Sequence, residues 1–328
     1  MDGILNSGIP VILWFQSLGD WLLAPMEFFS FLGTEDFYLI ILPIIYWGFD
    51  AGLGLRLGVM ITLTSGINTI FKFAFHSPRP YWVSTDVQAL SSETSFGLPS
   101  GHAQNALSVW GLIGTYVRKT WVWVLVIFVI LGISLSRLYL AVHYPVDTVL
   151  GWVIGFALLY TFNRLWDPIS EWAEKQSMGK QIGAAFGASI LMLLLGVGVR
   201  MLFGGWTMPV AWEQNAARAV AEIGGEMPDP FSLSGLVTSS ATLFGFLAGL
   251  AWIAPKGGYQ IASKVKTRIL QYLVGVIGVG IFYAGLKLVF PDGDDLIAYF
   301  FRFVRYTLVG FWVTGLAPFT FIKLNLTD

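Results

Sequence analysis

The chain has no cysteine among its 328 residues. That excludes disulfides, thiolate nucleophiles and thiolate metal sites. Charge is scarce too: 12% of residues are Asp, Glu, Lys or Arg, where a soluble domain carries roughly 25%. So few charges cannot cover a globule with polar surface. The formal net charge of −1 leaves no basic surplus, so nucleic acid is not an expected partner. The N-terminal MDGILNSGIPVILW has no basic segment and no small-residue cleavage site. No removable signal peptide is expected, and the first apolar helix directs insertion itself.

Apolar residues are what the chain has in excess, at 55% of the sequence with a mean hydropathy of +0.69. Several runs of about 20 apolar residues are long enough to cross a bilayer. The expected fold class is all-α, a polytopic transmembrane helical bundle. Its 14 Trp, 12 Tyr and 26 Phe fit interface anchoring and packing. Apolar runs between charged or Pro/Gly breaks predict helices over about 9–32, 36–50, 51–75, 101–117, 121–140, 146–165, 181–203, 233–254, 268–290 and 296–322. Asp20 and Glu27 interrupt the first, and Pro43 is expected to kink the second. About nine or ten membrane segments result. Residues 166–180 read as an amphipathic surface stretch. The positive-inside rule puts the basic segments around Arg118, Lys175 and Lys264 in the cytoplasm. The polar loop 77–100, residues 204–232 and the stretch around His143 then share the outer side.

Three polar clusters interrupt this apolar chain. Lys72 precedes Arg79-Pro80 by seven residues, Pro99-Ser100-Gly101-His102 opens a helix, and Ser136-Arg137 is followed by His143 and Asp147. Ionisable groups at membrane depth are costly and usually functional. Helix direction brings all three clusters to one membrane face. Lysine and two arginines suit phosphate oxygens, and the Ser100–Gly101 helix start favours an anion. Two imidazoles can serve as nucleophile and general acid, with Asp147 able to hold one ring nitrogen. A lone membrane histidine is more often a packing residue. Here, though, two of only three fall within the clusters, and the third, His76, lies in the spacer of the first.

Over about residues 35–165 the sequence resembles the type 2 phosphatidic acid phosphatase family, whose signature is K-x6-RP, PSGH and SR-x5-H-x3-D. The resemblance implies a core of about six helices in residues 1–165, with residues 166–328 adding about four more of open role. It implies His143 as a nucleophile that forms a phosphohistidine and Asp147 as its orienting group. His102 would protonate the leaving alcohol and then activate water. Lys72, Arg79, Ser100, Gly101 and Arg137 would bind phosphate. No metal and no cofactor are implied, and no His/carboxylate cluster has the spacing for a metal. His76 matches no signature position and is read as having no role.

The implied function is hydrolysis of a lipid phosphate or pyrophosphate among membrane lipids. Undecaprenyl pyrophosphate, phosphatidic acid, phosphatidylglycerol phosphate and sphingoid-base phosphates are the candidate types. The expected location is a bacterial inner membrane with the site on the periplasmic side. A homo-oligomer is left open. The alternatives are a phosphotransferase using the same phosphohistidine, a vanadate haloperoxidase and a non-catalytic lipid-phosphate binder or transporter. Haloperoxidase relatives are soluble, which fits the apolar spans poorly. A mere binder needs only the cations, so the intact His102, His143 and Asp147 argue for chemistry.

Overall fold

The computed structural model describes residues 2–327, and every regular element among them is helical. The chain begins with α1 (Asp2–Ser17) and α2 (Leu23–Phe31). These are bent against each other by 88° where Gly19 takes φ 100°, a conformation open to glycine, and Asp20 starts a new turn. The expected single helix over 9–32 is therefore a broken one. α3 (Glu35–Ile44) contains Pro43 and widens at once into a π turn, Ile45–Phe49. α4 (Ala51–Phe75), α5 (Pro80–Val83), α6 (Gly101–Asn105), α7 (Gly111–Val117), α8 (Thr120–Tyr139) and α9 (Pro145–Glu174) follow. The rest are α10 (Met178–Leu202), α11 (Val210–Ile223), α12 (Ser234–Ile253), α13 (Val265–Gly280), α14 (Leu296–Phe311) and α15 (Ala317–Lys323).

Seven helices among the described residues are long and apolar enough to span a membrane, or eight if the bent α1–α2 pair counts as one span. The sequence-based number is higher because it also counts the shorter helical stretches 35–49 and 101–117. Two connections also differ. α9 continues to Glu174, so most of the expected surface stretch after 165 is its last turns, and α11 forms inside 204–232. The chain is an integral membrane protein by these spans.

Contacts divide the chain into two units. The first comprises residues 1–37, 67–161 and 196–232, and the second 38–66, 162–195 and 233–328. In the first, α2 packs along α8, and α9 lies against α6 with no room for side chains between them. A Cβ on Gly151 would stand 2.7 Å from the Ser100 carbonyl oxygen, and one on Gly155 2.7 Å from that of Gln104. In the second, α12 and α14 meet just as closely, since a Cβ on Gly310 would lie 2.7 Å from the Thr242 carbonyl oxygen. Small residues at such contacts are the usual way membrane helices approach, because apolar burial alone gives little gain in lipid.

Candidate active site

All three clusters lie in the first unit, and local folding brings them together. α4 carries Lys72 in its last turn and stops at Phe75, after which His76 takes φ 50°. Arg79 sits in extended backbone just ahead of α5, with Pro80 fixed at the first helical position. The loop 84–100 then folds back: the Gly97 N–H donates to the Ser77 carbonyl at 2.9 Å. Gly97 has no room for a side chain, since a Cβ would meet the Pro78 carbonyl oxygen at 2.7 Å and Asp147 Oδ2 at 3.2 Å.

Ser100 caps α6, its Oγ accepting from the Ala103 N–H at 3.5 Å, while its own N–H donates to the Asp147 carbonyl at 2.9 Å. The start of α6 is thus tied to the first turn of α9. A side chain at Gly101 would be crowded by Asn68 Oδ1, 3.1 Å from its Cβ position. After α8, Ala141 adopts φ 60°, and the N–H groups of Val142 and His143 both return to the Arg137 carbonyl, at 3.2 and 3.3 Å. A non-glycine residue held there is a local strain that the surrounding packing sustains. It turns His143 back over the helix end that carries Arg137.

Arg79 is fully buried and mostly committed to the backbone. Its Nε donates to the Ser95 carbonyl (2.7 Å), Nη1 to the Val142 carbonyl (2.8 Å) and Nη2 to the Phe96 carbonyl (3.2 Å). Its Nη1 also lies 3.4 Å from His143 Nε2. Lys72 donates to Ser95 Oγ at 2.8 Å. Arg137 is 1% exposed and donates to Ser30 Oγ and to the Glu93 carboxylate, while its Nε has no partner among the described residues.

On the opposite side of the imidazole, His143 Nδ1 is 3.3 Å from Asp147 Oδ2, which also accepts the Tyr144 N–H at 2.9 Å. With the ring proton on Nδ1 toward Asp147, Nε2 keeps its lone pair. Burial first, then the charges of Arg79, Lys72 and Arg137, hold His143 well below its ordinary pKa, so the ring is neutral at neutral pH. His102 is only partly buried, its ring against Gly33. Its Nε2 has no partner among the described residues, and Arg137, Glu93, Lys72 and Arg79 are the charges that act on it. No three His, Asp or Glu side chains among the described residues converge as a metal would require.

All eight residues singled out from the sequence therefore belong to one unit, and their charged members act on one another directly. Reading the sequence missed Ser30, Glu93 and Ser95. Ser95 ties Lys72 and Arg79 together, and Glu93 sits among the cations. Burial alone would raise the Glu93 carboxyl, but Arg137 and Arg79 outweigh it and hold Glu93 well below the usual carboxylate range. A lone acid in an irregular loop carries no periodic signal. His76 stands apart from the phosphate-type groups, boxed by Phe96, Phe203, Trp206 and Phe231 at ring distances of 5.0–5.3 Å.

Residues 53–170 match the PAP2 superfamily, and residues 237–328 match the transmembrane extension of PAP2 superfamily phosphatases. The chain belongs to the PAP2 superfamily. It is 26% identical over 322 residues to glucose-6-phosphatase catalytic subunit 1 of Mus musculus, covering 88% of this chain and 86% of that protein. It is 30% identical over 176 residues to the probable sphingosine-1-phosphate phosphatase of Dictyostelium discoideum, covering 48% and 42% of the two chains. Lipid phosphate phosphatase delta of Arabidopsis thaliana matches at 25% over 206 residues, 57% of this chain and 48% of that one. No solved structure matches at a significant level. These relatives are phosphatases, and all three are eukaryotic, so they lend nothing to a bacterial location.

Proposed function

We propose that the protein is a membrane phosphatase that hydrolyses a lipid phosphomonoester or pyrophosphate through a phosphohistidine on His143, without a metal. One observation carries this reading: the buried imidazole of His143 lies 3.3 Å from Asp147 at Nδ1 and 3.4 Å from Arg79 at Nε2. Nε2 attacks phosphorus as the bond to the leaving oxygen breaks, and His102 gives that oxygen its proton. His102 then takes a proton from water, whose oxygen displaces His143 from phosphorus and leaves inorganic phosphate. Lys72, Arg79, Arg137 and the Ser100–Gly101 helix start offset the charge on the equatorial oxygens.

A lipid substrate is supported by the membrane spans and by the names of the Dictyostelium and Arabidopsis relatives. A second reading, a small soluble phosphomonoester, is supported by the glucose-6-phosphatase match, which runs over most of both chains while the lipid phosphatase matches span about half. The deciding experiment is phosphate release by purified protein in detergent from lipid phosphates and from glucose 6-phosphate, with and without EDTA. Lipid phosphates should be turned over with at least about tenfold higher kcat/KM, unchanged by EDTA. Preference for glucose 6-phosphate selects the second reading, and loss of activity in EDTA ends the metal-free mechanism.

The same proposal places the site on the outer face, from the distribution of Lys and Arg. A cysteine at Ser92 should react with an impermeant maleimide in intact cells, and one at Ser263 only after lysis. The reverse labelling pattern inverts the topology.

A further inference from the structure

Glu93 is the group in this site that the proposed chemistry leaves unused. It is the acid in a cluster of cations: its Oε1 accepts from Arg137 Nη2, and its Oε2 lies 3.8 Å from Arg79 Nη2. Lys72 and His102 are its other electrostatic neighbours. A planar, singly charged carboxylate thus sits where two guanidiniums converge, the arrangement in which a phosphate oxygen pair would also be held.

Two features suit that carboxylate to leaving. It stands on the irregular loop 84–100, and its side chain is 26% exposed, whereas those of Arg79 and Arg137 are 0% and 2% exposed. The backbone at Glu93 is held in place, so leaving is a swing of the side chain alone. The Tyr81 hydroxyl accepts the Glu93 N–H at 3.1 Å and lies 3.3 Å from its carbonyl, and Ser95 anchors Lys72 and Arg79 two residues on.

Charge balance gives the direction of exchange. Lys72, Arg79 and Arg137 bring three positive charges, and Asp147 one negative. A phosphate dianion that enters while Glu93 departs leaves the buried site neutral. A dianion that enters while Glu93 stays leaves it with a net negative charge, which burial penalises.

We propose that Glu93 is an internal counter-ion that fills the phosphate position of the empty site, is displaced when substrate phosphate binds Arg137 and Arg79, and returns to expel inorganic phosphate after hydrolysis. It is a release residue, not a catalytic one. Its closed contact lowers the apparent affinity for phosphate by the fraction of time that the arginines are free. The inference rests on the reading of this cluster as a phosphate site.

The test compares the purified full chain in detergent with Glu93→Gln, which keeps the shape and removes the charge. Inorganic phosphate and vanadate are the probes, read both as inhibition constants and as the rise in melting temperature they cause. In Glu93→Gln both inhibition constants should fall about tenfold, and the melting rise at fixed phosphate should grow. KM should fall, and kcat should fall with it because product leaves slowly. Glu93→Asp keeps the charge with a shorter reach and should move the same quantities by about two- to threefold, so it reads the effect if Glu93→Gln does not accumulate. Unchanged or weaker phosphate binding in the variants overturns the proposal and makes Glu93 a fixed positioning group for Arg137. If neither probe binds the unmodified protein, it is the phosphate-site reading itself that falls.

Discussion

Unit one buries Lys72, Arg79, Arg137, His143 and Asp147 around one site, whereas among the described residues of unit two the buried polar side chains are mostly hydroxyls, with Gln271 and Arg305 beside them. In unit two Thr314 donates to the Phe246 carbonyl at 2.7 Å and Ser189 to the Ser240 carbonyl at 2.8 Å. Trp47 Nε1 reaches the Val313 carbonyl at 3.1 Å. Each of these is a local exchange that leaves no net charge behind. In unit one the buried charges stand among one another, and each is tolerable only while its opposite stays in place. The difference teaches where to look for function. Close glycine contacts hold both units, but the three polar clusters, with their two imidazoles, lie in unit one.

Removing the nucleophile should break this contrast most visibly. His143→Ala should lose at least about a thousandfold in kcat while its melting temperature stays close to that of the parent. Near-parental turnover by that variant would move the chemistry elsewhere.

Glycine replacements sharpen the contrast. Gly151→Ala drives a Cβ into the Ser100 carbonyl and shifts the start of α6, which carries His102. It should lower activity about ten- to hundredfold through misplacement of the site and reduce the melting temperature as well. Gly245→Ala in unit two drives a Cβ against the Thr307 carbonyl. Overpacking of that kind costs about 1–3 kcal/mol. It should lower the melting temperature about as much as Gly151→Ala does, yet leave kcat per folded molecule within about twofold of the parent. Equal loss of kcat in both variants would show that the two units do not divide the work in this way.

The smallest effect is in pH. The pKa of His143 is depressed in the folded state, so as pH falls through about 6.5 the unfolded chain takes up a proton that the folded site refuses, and stability declines. The folded pKa of Glu93 is also depressed, so its contribution is present above about 4.5 and is lost as pH falls through the folded value. Melting temperature followed from pH 7 downward should therefore fall. His143→Gln should flatten the slope from about pH 6.5, Glu93→Gln the slope below about 4.5, and Gly245→Ala neither.

Much of this was legible beforehand for a physical reason. Membrane helices announce themselves by length and apolarity, and the structure places α4, α8 and α12 within a residue of the spans expected from the sequence. Charged residues are so rare in such helices that Lys72, Arg79, Arg137, His143 and Asp147 stood out without any alignment. The closeness of α9 to α6 was also written in the sequence, as the four-residue spacing of Gly151 and Gly155, but small residues are common enough in this chain to hide it. Ser30 and Glu93 could not have been found that way. They reach Arg137 from 107 and 44 residues away, and only the bend at Gly19 and the return of loop 84–100 bring them there. The helix end expected at 165 fell short because polarity marks the edge of an apolar run and not the end of a helix, and α9 runs on to Glu174.

The central claim is a covalent intermediate on His143. His102→Ala slows both the leaving-group proton transfer and the attack of water, so an activated substrate such as a nitrophenyl phosphate should let the intermediate accumulate. The measurement is a brief reaction of that variant with phosphate-labelled nitrophenyl phosphate, quenched in alkali and mapped by peptide. The account predicts acid-labile, alkali-stable label on the peptide carrying His143, absent when His143 is also replaced by Ala. Release of nitrophenol in a burst with no label, or label on any other residue, would contradict it.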